Sequence, residues 1–301
     1  MGEKQGGKEY TVCWNEQVAE NTYHMGIAMM PGMDVIPGQF VNIAIPNRPE
    51  LILRRPISIN GYEKETGVLE IIYQVVGKGT AQLSQVIKGE QLDVLGPLGR
   101  GFSPGAGEKD IWLVGGGIGV APLQYLPAYY GNIRFTGIFG FRNKALIYRE
   151  GVLREQLAGC RIVTDDGTNG EKGFVTDALR EMLQEGVPDA IYICGPVAMI
   201  KAVKEVLADY PTIPAYVSME ERMGCGVGVC MVCTCLIEQD GEKNMRRVCV
   251  DGPVFAYHPN GPEYRYVVPR TGYAGQPCGS QRQIPSSQRY HGGCSQHRRL
   301  L

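Results

Sequence analysis

Between residues 9 and 98, apolar positions come in short runs, often alternating with polar ones and separated by turn residues. Tyr10–Trp14, Tyr23–Met30, Phe40–Ile45, Ile57–Tyr62, Val68–Val76 and Gln91–Leu95 each read as a strand. Strands at this regular spacing predict an antiparallel barrel or sandwich. The charged stretch Gly61–Gly67 reads as a hairpin turn. Thr80–Ile87 leaves the alternating pattern after a glycine pair and predicts one short helix. Ser103–Lys109, S-P-G-A-G-E-K, is a small polar connector and is expected to mark a domain boundary.

Beyond it the rhythm changes. Ile111–Val114 reads as a strand, followed by a glycine loop and then helical spacing over Val120–Tyr130. Ile133–Phe139, Arg161–Thr164, Ala190–Cys194 and Ala215–Ser218 are further strands. Ala145–Gln156, Val175–Gln184 and Val197–Leu207 read as the helices between them. This alternation predicts a doubly wound parallel sheet, with its ligand at the carboxyl ends of the strands near the switch point. Residues 257–301 are rich in Gly, Pro, Ser, Gln and Arg and have little apolar periodicity, so a disordered tail is expected. That composition outweighs a metal-binding reading of its three histidines, Cys278 and Cys294.

Candidate chemistry gathers in residues 218–255. Cys225, Cys230 and Cys233 stand at C-x4-C-x2-C spacing in S-M-E-E-R-M-G-C-G-V-G-V-C-M-V-C, and Cys249 follows in R-R-V-C-V-D-G-P-V-F. This is the plant-type spacing for a [2Fe–2S] cluster held by four thiolates. Gly224, Gly226 and Gly228 permit a tight curl that aims N–H groups at sulfur, where such bonds help set the potential. Structural zinc is the alternative, although zinc knuckles usually bring C-x2-C pairs. Cys235 is a rival third ligand, because in a strand it would point the same way as Cys233. Glu220, Glu221 and Arg222 read equally as a solvated linker or as charge beside a flavin or a partner.

Length and charge narrow the class. A chain of 301 residues accommodates two domains or three small ones. A net charge of −1 gives no argument for nucleic acid or an anionic membrane surface. Ten cysteines over this length are not a disulfide scaffold. The polar start M-G-E-K-Q-G-G-K-E-Y lacks a signal-peptide apolar stretch, so a reducing, cytoplasmic setting is expected. The uncharged run Ile111–Asn132 is long enough to raise a membrane question. Its three consecutive glycines and two prolines favour a buried strand–loop–helix instead.

Several segments carry phosphate-directed chemistry. Arg54-Arg55-Pro56-Ile57-Ser58 opens a predicted strand, where alternation lets only one arginine meet a given ligand. An arginine fork suits a pyrophosphate; alone, the segment reads as a solvated strand edge. Gly77-Lys78-Gly79-Thr80 precedes the short helix, whose free N–H groups would attract phosphate, with an ordinary glycine turn as the alternative. Gly115-Gly116-Gly117-Ile118-Gly119-Val120-Ala121-Pro122 would let a dinucleotide approach closely, with Pro122 where a Rossmann pattern has its last glycine. Arg142 and Lys144 are placed to face an adenosine ribose or its phosphate. Cys194-Gly195-Pro196 closes the fourth strand, and Cys194 reads either as a nicotinamide neighbour or as a small buried residue. Thr164-Asp165-Asp166-Gly167-Thr168 reads as a turn.

Taken in order, R-R-P-I-S-I, G-K-G-T, D-V-L-G-P-L-G, V-G-G-G-I-G-V-A-P-L, C-G-P-V-A-M and the cysteine segment resemble the electron-transfer subunits of class B dihydroorotate dehydrogenase. These belong to the ferredoxin-reductase-like flavoproteins, and the likeness spans roughly residues 8–256. It implies an α+β multidomain fold. An antiparallel β-barrel flavin domain would occupy 1–104, a doubly wound α/β nicotinamide domain 105–217 and a small C-terminal [2Fe–2S] domain 218–256, ahead of the tail at 257–301. FAD would be held by Arg55, Pro56, Ile57 and Ser58, by Ile72, Tyr73 and Gln74, and by Gly79 and Thr80. Ile57 stands where the wider superfamily prefers tyrosine. NAD is expected at Gly115, Gly116, Gly117 and Gly119 and at Cys194, Gly195 and Pro196. The cluster ligands would be Cys225, Cys230, Cys233 and Cys249.

The resemblance also implies the reaction. A separate FMN-containing catalytic subunit oxidises dihydroorotate to orotate. Electrons then cross the cluster singly, and FAD collects two for NAD+. A heterotetramer with two of each subunit is expected, without nucleic acid or membrane, and no side-chain nucleophile is needed. The rivals are a related NAD(P)H-linked flavin–iron–sulfur subunit serving another partner, such as one for sulfite reduction, and a zinc-stapled dinucleotide sensor.

Overall fold

The alternating N-terminal segments close into a six-stranded antiparallel barrel. The computed structural model describes residues 7–239, 242–257 and 265–267. The barrel strands are β1 (Lys8–Ala19), β2 (Thr22–Ala28), β3 (Phe40–Ile43), β4 (Arg55–Glu63), β5 (Val68–Gln74) and β6 (Gln91–Leu98), in the order β1-β2-β5-β4-β3-β6. Val12, Met25, Ile27, Val41, Ile59, Leu69, Ile71 and Val94 fill its interior. Closure leaves no unpaired edge. The one helix among these strands, α1 (Lys78–Leu83), is shorter than the predicted Thr80–Ile87.

The next strands are β7 (Asp110–Gly116), β8 (Arg134–Phe141), β9 (Gly159–Thr164), β10 (Glu171–Lys172), β11 (Ala190–Cys194) and β12 (Ala215–Ser218). They form a parallel sheet, with α2 (Tyr125–Tyr129), α3 (Glu150–Gln156), α4 (Val175–Glu185) and α5 (Val197–Leu207) in the connections. The chain steps outward from β7 to β8 and β9, then returns to place β11 on the other side of β7. The switch point therefore lies between β7 and β11, where Gly115 pairs with Cys194.

Three further elements differ from the sequence expectation. The helix read over Val120–Tyr130 is a 3-10 segment, Gly117–Leu123, followed by α2. Pro122 has no N–H to donate, and three glycines cluster at the segment's start. The helix read over Ala145–Gln156 begins only at Glu150, because Arg149 takes a left-handed backbone with φ 50°. The remaining strands are β13 (Thr234–Gln239), β14 (Glu242–Arg247), β15 (Val254–Tyr257) and β16 (Arg265–Val267). β15 adds antiparallel to β12 at the sheet edge, and β16 pairs with β13. The segment expected to be a structureless tail thus begins inside a strand and contributes a second one. The rest of that expectation lies outside the described residues. Among the described residues, no helix is long and apolar enough to cross a membrane.

Candidate functional site

A cavity of about 490 Å³ opens between the barrel and the parallel sheet, a size suited to a cofactor. Phe40 on β3, Pro56, Ile57 and Ser58 on β4, and Ile72, Tyr73 and Gln74 on β5 form its barrel wall, with Val76 and Thr80 at the rim. Ile118 and Ala121 from the 3-10 segment face them, and Met219–Met223 with Pro253 complete the enclosure. Seven of the residues expected to hold FAD therefore line one cavity together with Met219–Met223. Glu220 is open to solvent in the cleft but crowded on its other sides, and this loss of water pushes its carboxyl above the usual range. Glu220, Glu221 and Arg222 all line the cavity, as the reading of charge beside a flavin requires, while Glu220 and Arg222 remain exposed.

Alternation separates the two arginines. Arg54 turns to Asp93, with Nη2 2.5 Å from Oδ2 and Nη1 donating to the Asp93 carbonyl at 3.0 Å. Arg55 donates to the Leu53 carbonyl and, among the described residues, has no carboxylate partner. Its guanidinium lies across Gly79, where a Cβ would sit 2.1 Å from Arg55 Nε. A guanidinium with only carbonyl partners, laid over bare backbone, suits an anionic group such as a pyrophosphate. The helix behind it has only six residues, and Thr80 Oγ1 already accepts from the N–H groups of Val76 and Gly77 at 2.9 and 3.2 Å. The expected phosphate site at free helix N–H groups is therefore partly closed by Thr80 itself.

Gly115, Gly116, Gly117, Gly119, Cys194, Gly195 and Pro196 gather at the carboxyl ends of β7 and β11, but none lines the cavity. Gly119 permits a close approach: a Cβ there would meet the Cys194 carbonyl oxygen at 2.5 Å. Gly117 alone of the set combines a positive φ, 54°, with open space. Cys194 is buried, and burial pushes its thiol well up. Of its two readings, the small buried residue is the one that fits.

The cysteine loop brings its thiols together in two pairs. Cys225 N–H points at Cys230 Sγ at 3.3 Å, and Cys249 N–H at Cys233 Sγ at 3.5 Å. Cys225 Sγ also receives the N–H groups of Val227, Val229 and Cys230 at 3.3–3.4 Å. Burial raises the Cys225 thiol, but those N–H groups and the Cys230 thiol outweigh it and bring it down to about 6. A thiolate is the form that ligates metal. Cys249 is pushed up to about 12 by burial and then by Cys233. Among the described residues, no three His, Cys, Asp or Glu side chains close on a single metal ion. Two pairs of thiols instead fit a cluster that spreads four ligands over two irons. Cys233 precedes β13, whereas Cys235 lies within it, buried, its thiol raised to about 12 by burial and by Glu221.

Sequence reasoning passed over the polar residues that join these parts. Asn42, wholly buried on β3, lies beneath Gly226 of the cysteine loop, and neither of its amide atoms has a partner among the described residues. Buried Asn60 and Gln124, with half-buried Arg149, form a chain between barrel and sheet. Nothing in their local sequence marks them; only the fold brings them together.

Comparison with known proteins agrees with this arrangement. Residues 220–259 match the iron–sulfur cluster binding domain of dihydroorotate dehydrogenase B, and residues 113–205 match the oxidoreductase NAD-binding domain. The chain is 39% identical over 251 residues to a dihydroorotate dehydrogenase B (NAD(+)) electron transfer subunit of Listeria innocua, covering 82% of this chain and 96% of that protein. It is 40% identical over 246 residues to the protein of that description from Desulforamulus reducens, covering 79% and 92%. Among solved structures, an NADH-dependent reduced ferredoxin–NADP oxidoreductase superposes with a TM-score of 0.74 at 28% identity, over 88% of this chain and 92% of that one. Phthalate dioxygenase reductase shares the fold at a TM-score of 0.59 and 18% identity, over 87% and 98%.

Proposed function

The chain belongs to the electron transfer subunits of dihydroorotate dehydrogenase B (NAD(+)), and from that premise we propose how its residues divide the work. It is an oxidoreductase subunit that delivers electrons to NAD+. In our reading they come from dihydroorotate, oxidised on an FMN-containing catalytic subunit in the cytoplasm during pyrimidine synthesis, in an assembly of two copies of each subunit. When bound, the [2Fe–2S] cluster carries single electrons and FAD exchanges them for a hydride.

The chain's own residues bind, orient and exclude water. Arg55 and the bare backbone at Gly79 take the FAD pyrophosphate, while Pro56–Ser58 and Ile72–Gln74 line the isoalloxazine side of the cavity. The glycine turns at Gly115–Gly119 and Gly195 shape the NAD crevice at the switch point. Cys225, Cys230, Cys233 and Cys249 hold the cluster, and the loop N–H groups stabilise their thiolates. No side chain has to act as nucleophile.

One observation carries this reading. Met219–Met223 wall the cavity, and the same stretch runs on through Gly224 into Cys225. Flavin wall and first thiolate are thus parts of one short segment. Anaerobic mixing of the purified protein with its catalytic subunit, dihydroorotate and NAD+ tests it. NADH and orotate forming together, with flavin and ferric-cluster absorption in this subunit, is the expected result. Sulfite reduction without orotate formation would select the rival partner, and a colourless zinc protein would sink the redox reading.

A further inference from the structure

Asn60 sits on β4, two residues beyond Ser58, and is almost wholly buried. Its Nδ2 donates to the Ala121 carbonyl and to Gln124 Oε1, each at 2.8 Å. Its Oδ1 accepts from Arg149 Nη1 at 3.0 Å. The same guanidinium nitrogen reaches Glu70 Oε2 on β5 at 3.2 Å, and Glu70 meets His24 Nε2 on β2 at 2.7 Å. Arg149 holds a left-handed backbone, φ 50°. Such a conformation in a non-glycine residue persists only where its surroundings enforce it. The adjacent Tyr148 is buried, and its hydroxyl reaches the Gly117 and Ile118 carbonyls at 3.1 and 3.3 Å. Residues 148 and 149 therefore grip the dinucleotide loop twice, Tyr148 directly and Arg149 through Asn60.

The strand and the loop so joined are the two that face each other across the cavity. Ser58 lines one wall and Ala121 the other. A buried amide that served stability alone could bond anywhere in the core; this one lies beside the cavity, where the strand that carries Ser58 meets the segment that carries Ala121. We infer that Asn60 is a positioning residue for electron exchange between flavin and nicotinamide. Its carboxamide fixes the dinucleotide loop to the flavin strand, and Arg149 and Glu70 fix the carboxamide. The inference rests on the cavity being the flavin site. In the exchange, a C–H bond of the reduced nicotinamide breaks, its electron pair and hydrogen pass to the flavin, and NAD+ is left. The catalysed direction is the reverse, so no further oxidant or reductant enters. Asn60 moves no proton; it sets a distance, and misplacement by about 1 Å costs on the order of 100-fold in rate.

The test uses the cofactor-loaded protein. Asn60→Asp keeps the acceptor for Arg149 but loses the donor to Ala121, and Asn60→Leu removes all three bonds. FAD and iron content, the limiting rate of flavin bleaching by NADH and the NADH concentration giving half that rate are measured. Full cofactor content, a limiting rate down about 10- to 100-fold, a nearly unchanged half-saturating concentration and a weakened NADH–flavin charge-transfer band are expected. Should these variants fold poorly, Arg149→Met and Arg149→Lys replace them, with lysine expected to recover most of the rate that methionine loses. Loaded variants with a wild-type rate and band overturn the inference, as does a rate that falls only in step with lost FAD. Wild-type flavin that NADH does not bleach would instead overturn the reading of the cavity.

Discussion

Gly226 lies directly on Asn42: a Cβ on the glycine would sit 2.7 Å from the Asn42 Nδ2. The residue after Cys225 is thus the point where the cysteine loop meets β3 of the barrel. Gly226 also has φ 75°. Alanine there combines a left-handed conformation costing about 1–2 kcal/mol with crowding worth about 1–3 kcal/mol. Gly226→Ala is expected to retain less than half of the wild-type iron while keeping its FAD. Iron, sulfide and flavin analysis of one preparation checks this, and full iron content would mean the loop has room that the packing on Asn42 denies.

Cys233 and Cys235 are both buried, but their neighbours differ. Cys233 meets Cys249 at the mouth of the loop, whereas Cys235 lies within β13. Cys233→Ser is expected to abolish the cluster spectrum, and Cys235→Ser to keep at least about nine-tenths of the iron, since a buried thiol behaves as a small apolar group. The opposite pattern would reassign the third ligand.

The paired arginines make a sharper comparison. Arg54 is consumed by Asp93, so Arg54→Ala leaves a carboxylate without its partner and is expected to lower the melting temperature. Arg55 lies over Gly79 with only carbonyl partners. A charge-assisted bond is worth about 1.5–3 kcal/mol, so Arg55→Ala is expected to weaken FAD binding about 10- to 100-fold with little effect on the melt. Flavin-fluorescence titration of deflavinated protein, alongside thermal melts, separates the two effects.

Period and punctuation explain what was legible beforehand. Ala190–Cys194, Val197–Leu207 and Ala215–Ser218 have the bounds read from apolar runs, because the two strands are largely buried, the helix buries one regular face, and each ends at a clear breaker or polar turn. The cysteine spacing likewise states its chemistry in one stretch. What escaped was set by distant residues. Arg149 breaks a helical pattern because its side chain is held by Glu70 and Asn60 on the barrel. Pro122 and its glycines look like a helix start but hold a 3-10 turn against β11. Residues 254–256 read as the end of the cluster segment with no strand, and only the edge of β12 shows where β15 docks.

The loop tip offers an entry for electrons. Val229, Met231 and Val232 are exposed beside the exposed Cys230, an apolar surface next to the proposed cluster. Such a patch marks a contact site, and the catalytic subunit is the partner that needs this route. Replacing Val229 and Met231 together with glutamate is expected to weaken that association at least tenfold, about 1.4 kcal/mol, and to leave NADH-to-dye activity of the isolated subunit unchanged. Gel filtration and the orotate assay report on the first, and the dye assay on the second. Unimpaired assembly would place the interface elsewhere.

Glu70 ties the barrel to the sheet by charge, and this gives acid stability a direction. The His24 hydrogen bond lowers its carboxyl from the usual value of 4.5; burial opposes this, and the charges of His24 and Arg149 add to the lowering. A carboxyl depressed in the folded state stabilises the protein above its ordinary value, and that contribution is lost as pH falls through the folded one. The carboxylate is partly exposed, so about 1 kcal/mol is a fair size, worth roughly 2–4 °C of melting temperature in a protein of this length. Glu70→Gln should therefore melt about that much below wild type at pH 7. The gap should close in the acid range below 4.5, where the wild-type carboxyl also becomes neutral. Melts of both proteins across pH 3–7 measure it. A gap of constant width would show that Glu70 acts through shape and neutral hydrogen bonding, with its charge contributing nothing to the latch on Arg149.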